Sequence, residues 1–114
     1  NDLKTCGVEI PESEFVKNLA NLGLKSGIDG IVSSPLELIK LKKTFGNKLL
    51  YVTPGIRLDK NNKNDQKRFS SPGQAVVSGS SLLVIGRPIT TSTNPVRSIE
   101  EIIGNIRESL ESTN

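Results

Sequence analysis

The chain is organised around one stretch, Leu49-Leu50-Tyr51-Val52-Thr53-Pro54-Gly55-Ile56-Arg57, an apolar run that stops at Pro-Gly and then presents an arginine. A short, continuous apolar run of this kind is typical of a strand buried on both faces. The pattern recurs as Leu82-Leu83-Val84-Ile85, which stops at Gly86-Arg87-Pro88. Because an arginine follows each run, the sequence predicts two strand ends that face one anionic ligand.

The segments around these two runs alternate between helix and strand patterns. We expect helices over residues 11–27, 34–46, 71–79 and 94–110, and strands over residues 28–32, 48–53 and 82–86. Residues 1–10 carry no pattern that assigns them. An α-β-α-β-α-β-α order with buried strands predicts a parallel sheet covered by helices.

Several helix starts have their own signals. Ser34 as N-cap, Pro35 at N1 and Glu37 at N3 predict a capping box. Ser71-Pro72-Gly73-Gln74 and Asn94-Pro95 begin two further helices in the same way. The apolar face of the last helix consists of Ile99, Ile102, Ile103, Ile106 and Leu110.

Composition excludes several classes of protein. At 114 residues the chain is one domain at most. The net charge of +3 is spread without a dense basic block, and three Phe and one Tyr offer few stacking surfaces, so nucleic-acid binding is not expected. The longest apolar runs have four or five residues, too short for a membrane span, and no secretory signal opens the chain. We therefore expect a cytoplasmic protein.

The chain also lacks the residues that several chemistries need. Cys6 is the one cysteine and there is no histidine, which excludes an internal disulfide and makes a zinc site implausible. The absence of histidine also excludes Ser-His and Cys-His nucleophile pairs. Neither a metal nor a hydrolase triad is predicted.

Three parallel strands fit either a small open sheet or part of a closed barrel. In both architectures ligands bind at the carboxyl ends of the strands. In a (β/α)₈ barrel the phosphate site commonly uses the loops after strands 7 and 8 and a short extra helix. Residues 54–57 and 86–88 fit those loops, and residues 88–93 fit the extra turn.

Four linked motifs closely resemble the bacterial orotidine 5'-phosphate decarboxylase family. They are Val52-Thr53-Pro54-Gly55-Ile56-Arg57, Asp65-Gln66-Lys67-Arg68, Pro72-Gly73-Gln74-Ala75 and Ile85-Gly86-Arg87-Pro88-Ile89-Thr90. The likeness runs from about residue 3 to the end and is to the C-terminal half of that enzyme. It implies that residues 1–114 form part of one TIM-barrel domain with strands 6 to 8. The N-terminal half, with strands 1 to 5, is then absent from this chain.

The resemblance also implies an activity. The family removes CO₂ from orotidine 5'-phosphate to give uridine 5'-phosphate in pyrimidine biosynthesis, without metal or organic cofactor, and pairs as a homodimer. Its catalytic Asp-x-Lys-x-x-Asp motif has no counterpart here, since Asp59-Lys60 and Lys63-Asn64-Asp65 have the wrong spacing. We therefore expect no catalytic residue in this segment.

Substrate binding, by contrast, carries over by motif match to Arg57, Gln66, Gly86 and Arg87. Arginine offers a planar fork to phosphate oxygens, glycine lets a backbone N–H approach, and the turn at Pro88 aims a helix N-terminus at the anion. Residues 58–70 form a polar loop longer than a connector requires, so Gln66 could close over the ligand as part of a lid. Ordinary alternatives are a strand-end salt bridge for Arg87 and a solvated side chain for Arg57.

A second interpretation remains open, that of a small α/β module which binds a phosphorylated ligand without turning it over. The half-barrel interpretation makes a distinct prediction. Cutting a barrel uncovers the inner face of its strands, while the apolar stripes of the outer helices stay buried against the sheet. The chain should then be ordered only beside another polypeptide.

Overall fold

The computed structural model describes residues 2–58 and 70–113. In these ranges the helices are α1 Asp2–Thr5, α2 Glu12–Lys25, α3 Pro35–Phe45, α4 Pro72–Val77, α5 Arg87–Thr90 and α6 Pro95–Ser112, and the strands are β1 Gly30–Val32, β2 Leu50–Thr53 and β3 Leu82–Leu83. The sheet has the order β1-β2-β3, and both pairings are parallel. The predicted alternation and the parallel sheet are confirmed.

The register of the sheet separates a covered face from an open one. Ile31 pairs with Tyr51, and the neighbouring pairs are Val32 with Val52 and Val52 with Leu82. Paired residues in a parallel sheet point to the same side, and successive residues alternate. Ile31 and Tyr51 therefore lie on the side of the helices, whereas Val32, Val52 and Leu82 lie on the opposite side.

The core lies between the covered face and the helices α2 and α3. It consists of Ala20, Leu38, Leu41, Phe45, Leu49 and Tyr51. Tyr51 is fully buried, and its hydroxyl donates to the carbonyl of Gly46 at 2.8 Å, with the Leu41 carbonyl at 3.3 Å. These hydrogen bonds link Tyr51 of β2 to the C-terminal end of α3.

Two strands begin later than predicted. The first starts at Gly30, not at residue 28, because residues 27 and 28 still take part in the turn that ends α2. Gly27 has φ +94°, and the N–H of Ile28 donates to the Gly23 carbonyl at 3.2 Å, which is a common way for a helix to end. The second starts at Leu50, not at residue 48, because Gly46–Lys48 continue α3 as a 3₁₀ turn.

The third strand ends earlier than predicted. We expected residues 82–86, but β3 is Leu82–Leu83. A further ladder bond joins the N–H of Val84 to the Thr53 carbonyl at 2.9 Å. Alternate residues of a parallel strand bond to the same neighbour, so the next donor towards β3 would be Gly55, and its φ of +73° turns the backbone out of the extended conformation. The chain leaves the sheet here and forms α5 at Arg87–Thr90, where the extra turn was predicted over residues 88–93.

The helix caps differ from one another. Ser71 and Asn94 form the predicted caps, accepting the N–H groups of Gln74 at 3.2 Å and Arg97 at 3.1 Å. The capping box at Ser34 was wrong, because its side chain makes no capping hydrogen bond and the Glu37 N–H donates to the Ser34 backbone carbonyl at 3.1 Å. Local sequence thus placed all three helix starts, but the side chain of Ser34 does not bond as predicted.

Large apolar side chains remain exposed on the side opposite the core. We call Val32, Leu50, Leu82 and Val84 the open sheet face. The exposed fractions of these residues are 74, 53, 57 and 51%, respectively. The expectation that the helix stripes would be buried was wrong for Leu19 and Leu22 of α2, which are more than half exposed. The helices carry more apolar surface than a three-stranded sheet covers.

Candidate functional site: an arginine-lined cleft

A cleft of about 740 Å³ lies beyond the carboxyl ends of β2 and β3. Parallel strands bring their carboxyl ends to one edge, which is where ligands bind in such sheets. The cleft is lined by Pro54, Gly55, Ile56, Arg57, Val84, Gly86, Arg87, Pro88 and Thr91. Three of the four predicted binding residues therefore meet in one place.

Arg57 is presented by a turn that closes the long loop at its base. Gly55 has φ +73°, a conformation that glycine adopts without strain. The turn then places the buried Ile56 in a β-bridge with Ser70. The N–H of Arg57 donates to the Ser70 carbonyl, and the N–H of Ser70 donates to the Gly55 carbonyl, each at 3.2 Å. This anchor leaves the Arg57 side chain exposed at the cleft.

Arg87 is presented by α5. The carbonyl of Gly86 accepts the N–H groups of Ile89 at 2.9 Å and Thr90 at 3.0 Å, and the Thr91 hydroxyl donates to the Arg87 carbonyl at 2.6 Å. These bonds fix the backbone on both sides of Arg87, while its side chain is exposed. Within residues 2–58 and 70–113 no carboxylate pairs with its guanidinium. The alternative of a strand-end salt bridge is therefore not formed with any described residue.

Gly86 has room on its exposed side. A Cβ built at this position would meet no heavy atom within 4 Å, and φ is −102°. No intramolecular contact in the described chain therefore requires a glycine here. That Gly86 leaves space for a close approach by a bound molecule stays a prediction.

The positive charge of the cleft comes from its two guanidinium groups. Among the described residues that line it there is no Asp or Glu. The expected contribution of a helix N-terminus is small, because α5 has four residues and Pro88, near its start, lacks an N–H. Gln66 and the expected lid lie outside the described residues, as do Asp59, Lys60, Lys63 and Asp65.

Two residues that line the cleft were not predicted. Val84 continues the alternation of Leu82 on the open sheet face, so strand periodicity could have placed it here. Thr91 lies four residues after Arg87 and reaches the cleft because α5 is one turn long. No local sequence signal marks that length.

No three His, Cys, Asp or Glu side chains gather in the described part of the chain to hold a metal ion. None of the described helices has the length and apolarity to cross a membrane.

The sequence matches known proteins over most of its length. It is 45% identical over 107 residues to orotidine 5'-phosphate decarboxylase of Coxiella burnetii (strain RSA 331 / Henzerling II), an alignment that covers 94% of this chain and 45% of that relative. The orotidine 5'-phosphate decarboxylase of Wigglesworthia glossinidia brevipalpis is 50% identical over 91 residues, which are 80% of this chain and 39% of that relative. The chain thus spans less than half the length of these curated relatives.

Solved structures agree with the sequence match. The crystal structure of orotidine 5'-phosphate decarboxylase from Lactobacillus acidophilus superposes with a TM-score of 0.70 at 39% identity, covering 86% of this chain and 39% of that one. The fold is accordingly part of a (β/α)₈ barrel. Residues 2–102, which are well over half of the chain, match the model of one protein family. The chain therefore belongs to the orotidine 5'-phosphate decarboxylase / HUMPS family.

Proposed function

We propose that this chain supplies the phosphate-binding part of an orotidine 5'-phosphate decarboxylase. In the reaction the substrate carboxylate leaves as CO₂ and a proton takes its place on the pyrimidine carbon, which gives uridine 5'-phosphate. The observation that carries the proposal is that Arg57, Gly86 and Arg87 line one cleft beyond the carboxyl ends of β2 and β3. Two guanidinium groups match the charge and the oxygen geometry of a phosphate monoester.

The chain's own residues bind and orient the substrate in this proposal. Arg57 and Arg87 hold the phosphate, Gly86 leaves space for a close backbone approach, and Gln66 contributes from the loop by motif match. The phosphate lies far from the carboxylate that is lost, yet its binding energy can position the pyrimidine for reaction. No cofactor or metal is proposed.

The catalytic groups must come from another segment. The Asp-x-Lys-x-x-Asp motif of the family is not found in these 114 residues. We assign it to a complementary segment with strands 1 to 5, which corresponds to the part of the relatives that this chain does not match. The completed barrel is then expected to act in the cytoplasm as a homodimer, with neither nucleic acid nor membrane as partner.

A decarboxylation assay tests the proposal. The chain is combined with the unmatched segment of the Coxiella burnetii relative, and loss of CO₂ from orotidine 5'-phosphate is followed for the mixture and for each polypeptide alone. We expect activity only in the mixture. Activity of the isolated chain would refute the division of roles. Tight binding of a phosphate monoester with no turnover by the assembled pair would favour the non-catalytic binding module.

A further inference from the structure

A second cavity lies beside β1 and shares no lining residue with the arginine-lined cleft. It has a volume of about 340 Å³ and is lined mainly by apolar side chains of α2, β1 and α3, among them Val16, Leu19, Ala20, Ile31 and Leu41. Because β1 is the outermost strand in the order β1-β2-β3, no strand of the described chain borders its other edge. We call this space the β1-edge cavity.

One polar group in the wall of the cavity lacks a partner. Ser33 is 7% exposed, and its Oγ makes no hydrogen bond within the described chain. A buried hydroxyl without a partner is unfavourable by about 1–3 kcal/mol, so such groups are rare in complete structures. The orphaned hydroxyl therefore indicates that a neighbour is missing.

Ser70 provides an internal comparison. It precedes a Ser-Pro helix start as Ser33 does, and it is 8% exposed. Its Oγ donates to the Ser71 carbonyl at 3.2 Å. The two serines are almost equally buried in the same local sequence, yet of the two only the Ser70 hydroxyl has a hydrogen-bond partner in the described chain. The local motif therefore does not explain why the Ser33 hydroxyl lacks one.

The apolar wall of the cavity indicates the same missing neighbour. Leu19 from α2 and Val32 from β1 line the cavity and are more than half exposed. The curated relatives have more than twice the matched length, and a parallel barrel continues on the free edge of every strand. The occupant of this space must then provide apolar side chains together with a backbone polar group.

On the basis of the barrel assembly in the proposed function, we propose that the β1-edge cavity receives the complementary barrel segment. An apolar side chain of that segment fills the cavity, and an adjacent backbone carbonyl or N–H group bonds to Ser33 Oγ. Ser33 is then a positioning residue that sets how the segment sits against β1. A single hydrogen bond suits this task, because it adds a polar contact at one point of a mainly apolar wall.

The test uses the assembled pair of this chain and the unmatched segment of the Coxiella burnetii relative. The dissociation constant of the pair is measured by sedimentation over a dilution series, and kcat is measured at saturating assembly. Ser33→Ala should weaken association by about 3- to 10-fold, the value of one hydrogen bond whose partner stays buried. The kcat of the assembled pair should not change, because Ser33 lies outside the cleft.

Two further variants separate the hydrogen bond from general effects. Ser34→Ala changes the neighbouring serine, which also lines the cavity but is exposed and makes no capping bond, and it should leave the dissociation constant unchanged. Ser33→Thr keeps the hydroxyl and should remain within about twofold of wild type. Equal affinity for wild type and Ser33→Ala in an active pair would overturn the role of Ser33 while the proposed function stands. Failure of the wild-type pair to assemble would refute both.

Discussion

At the scale of single residues, Arg87 is held most firmly in the proposed site. The Gly86 and Arg87 carbonyls accept hydrogen bonds on either side of it, and its guanidinium pairs with no described carboxylate. In the assembled enzyme, Arg87→Ala should remove a charge-assisted contact worth about 1.5–3 kcal/mol. We expect kcat/KM for orotidine 5'-phosphate to fall by more than about tenfold, measured by steady-state kinetics.

Arg97→Ala is the matched control for that measurement. Arg97 lies on α6 outside the cleft and pairs with Glu101 at 3.4 Å, an exposed ion pair one turn apart. Such pairs contribute less than about 1 kcal/mol, so kcat/KM should stay near wild type. Equal losses in the two variants would remove Arg87 from the site.

Gln66→Ala should have a milder effect on kcat/KM than Arg87→Ala, since the glutamine side chain is neutral.

Tyr51 provides a residue-scale test of stability. Burial raises the pKa of its hydroxyl above the ordinary value of 10.0. Above pH 10 the unfolded chain therefore loses this proton while the folded chain keeps it, so the stability linked to Tyr51 is complete below pH 10 and declines as the pH rises towards the folded pKa. Denaturant unfolding of the assembled protein between pH 9 and 11 measures this decline.

Tyr51→Phe is the comparison, since it removes both the titration and the bond to the Gly46 carbonyl. It should lower the free energy of unfolding by about 1 kcal/mol at pH 7 and flatten the decline above pH 10. Parallel stability curves for the two proteins would show that Tyr51 ionises without hindrance in the folded state.

At the scale of elements, the contact between α4 and α6 depends on Gly73. Its N–H donates to Asn105 Oδ1 at 2.8 Å, and a Cβ there would lie 2.6 Å from the Asn105 carbonyl oxygen and in collision with Ser109. Because one obstacle is backbone, α4 must move to admit a methyl group. Gly73→Ala should lower the free energy of unfolding by about 1–3 kcal/mol, measured by denaturant titration.

Gly104→Ala is the opposite case on the same pair of helices. A Cβ at Gly104 would meet nothing within 4 Å, and the position shares the side of α6 that carries Glu100 and Glu108. Alanine there should raise the free energy of unfolding by about 0.5–1 kcal/mol, because it restricts the unfolded chain and favours helix. Destabilisation by both substitutions would mean that α6 is covered on this side as well.

At the scale of the whole molecule, the open sheet face decides how the chain behaves alone. Parallel strands are normally covered on both faces, yet the four side chains of this face are at least half exposed. An apolar surface of this kind drives association. We expect the isolated 12.3 kDa chain to self-associate in sedimentation experiments and to form a defined complex when the complementary segment is added. A monodisperse, cooperatively unfolding monomer would defeat the half-barrel interpretation.

Much of this architecture could be predicted from the sequence because its signals are local. Apolar runs and Ser-Pro or Asn-Pro starts mark strands and helices within a few residues of chain. A parallel sheet places the carboxyl ends of its strands at one edge, so the arginines after two such runs had to lie near each other. Arg57 and Arg87 were predicted for this reason, and the structure places both at one cleft.

Tertiary structure alone decided the rest. Leu82–Leu83 is short because its partner strand turns away at Gly55, whose φ is +73° and which lies far from it in the sequence. Ser34 and Ser71 have the same backbone angles and the same following proline, yet only Ser71 caps its helix. The half-barrel interpretation predicted an uncovered strand face, but the side chains that lie on it and the orphaned hydroxyl of Ser33 look like ordinary core positions in the sequence. Their exposure and missing bond depend on which neighbours surround the strand, since burial and hydrogen bonding belong to the assembled structure and not to the local chain.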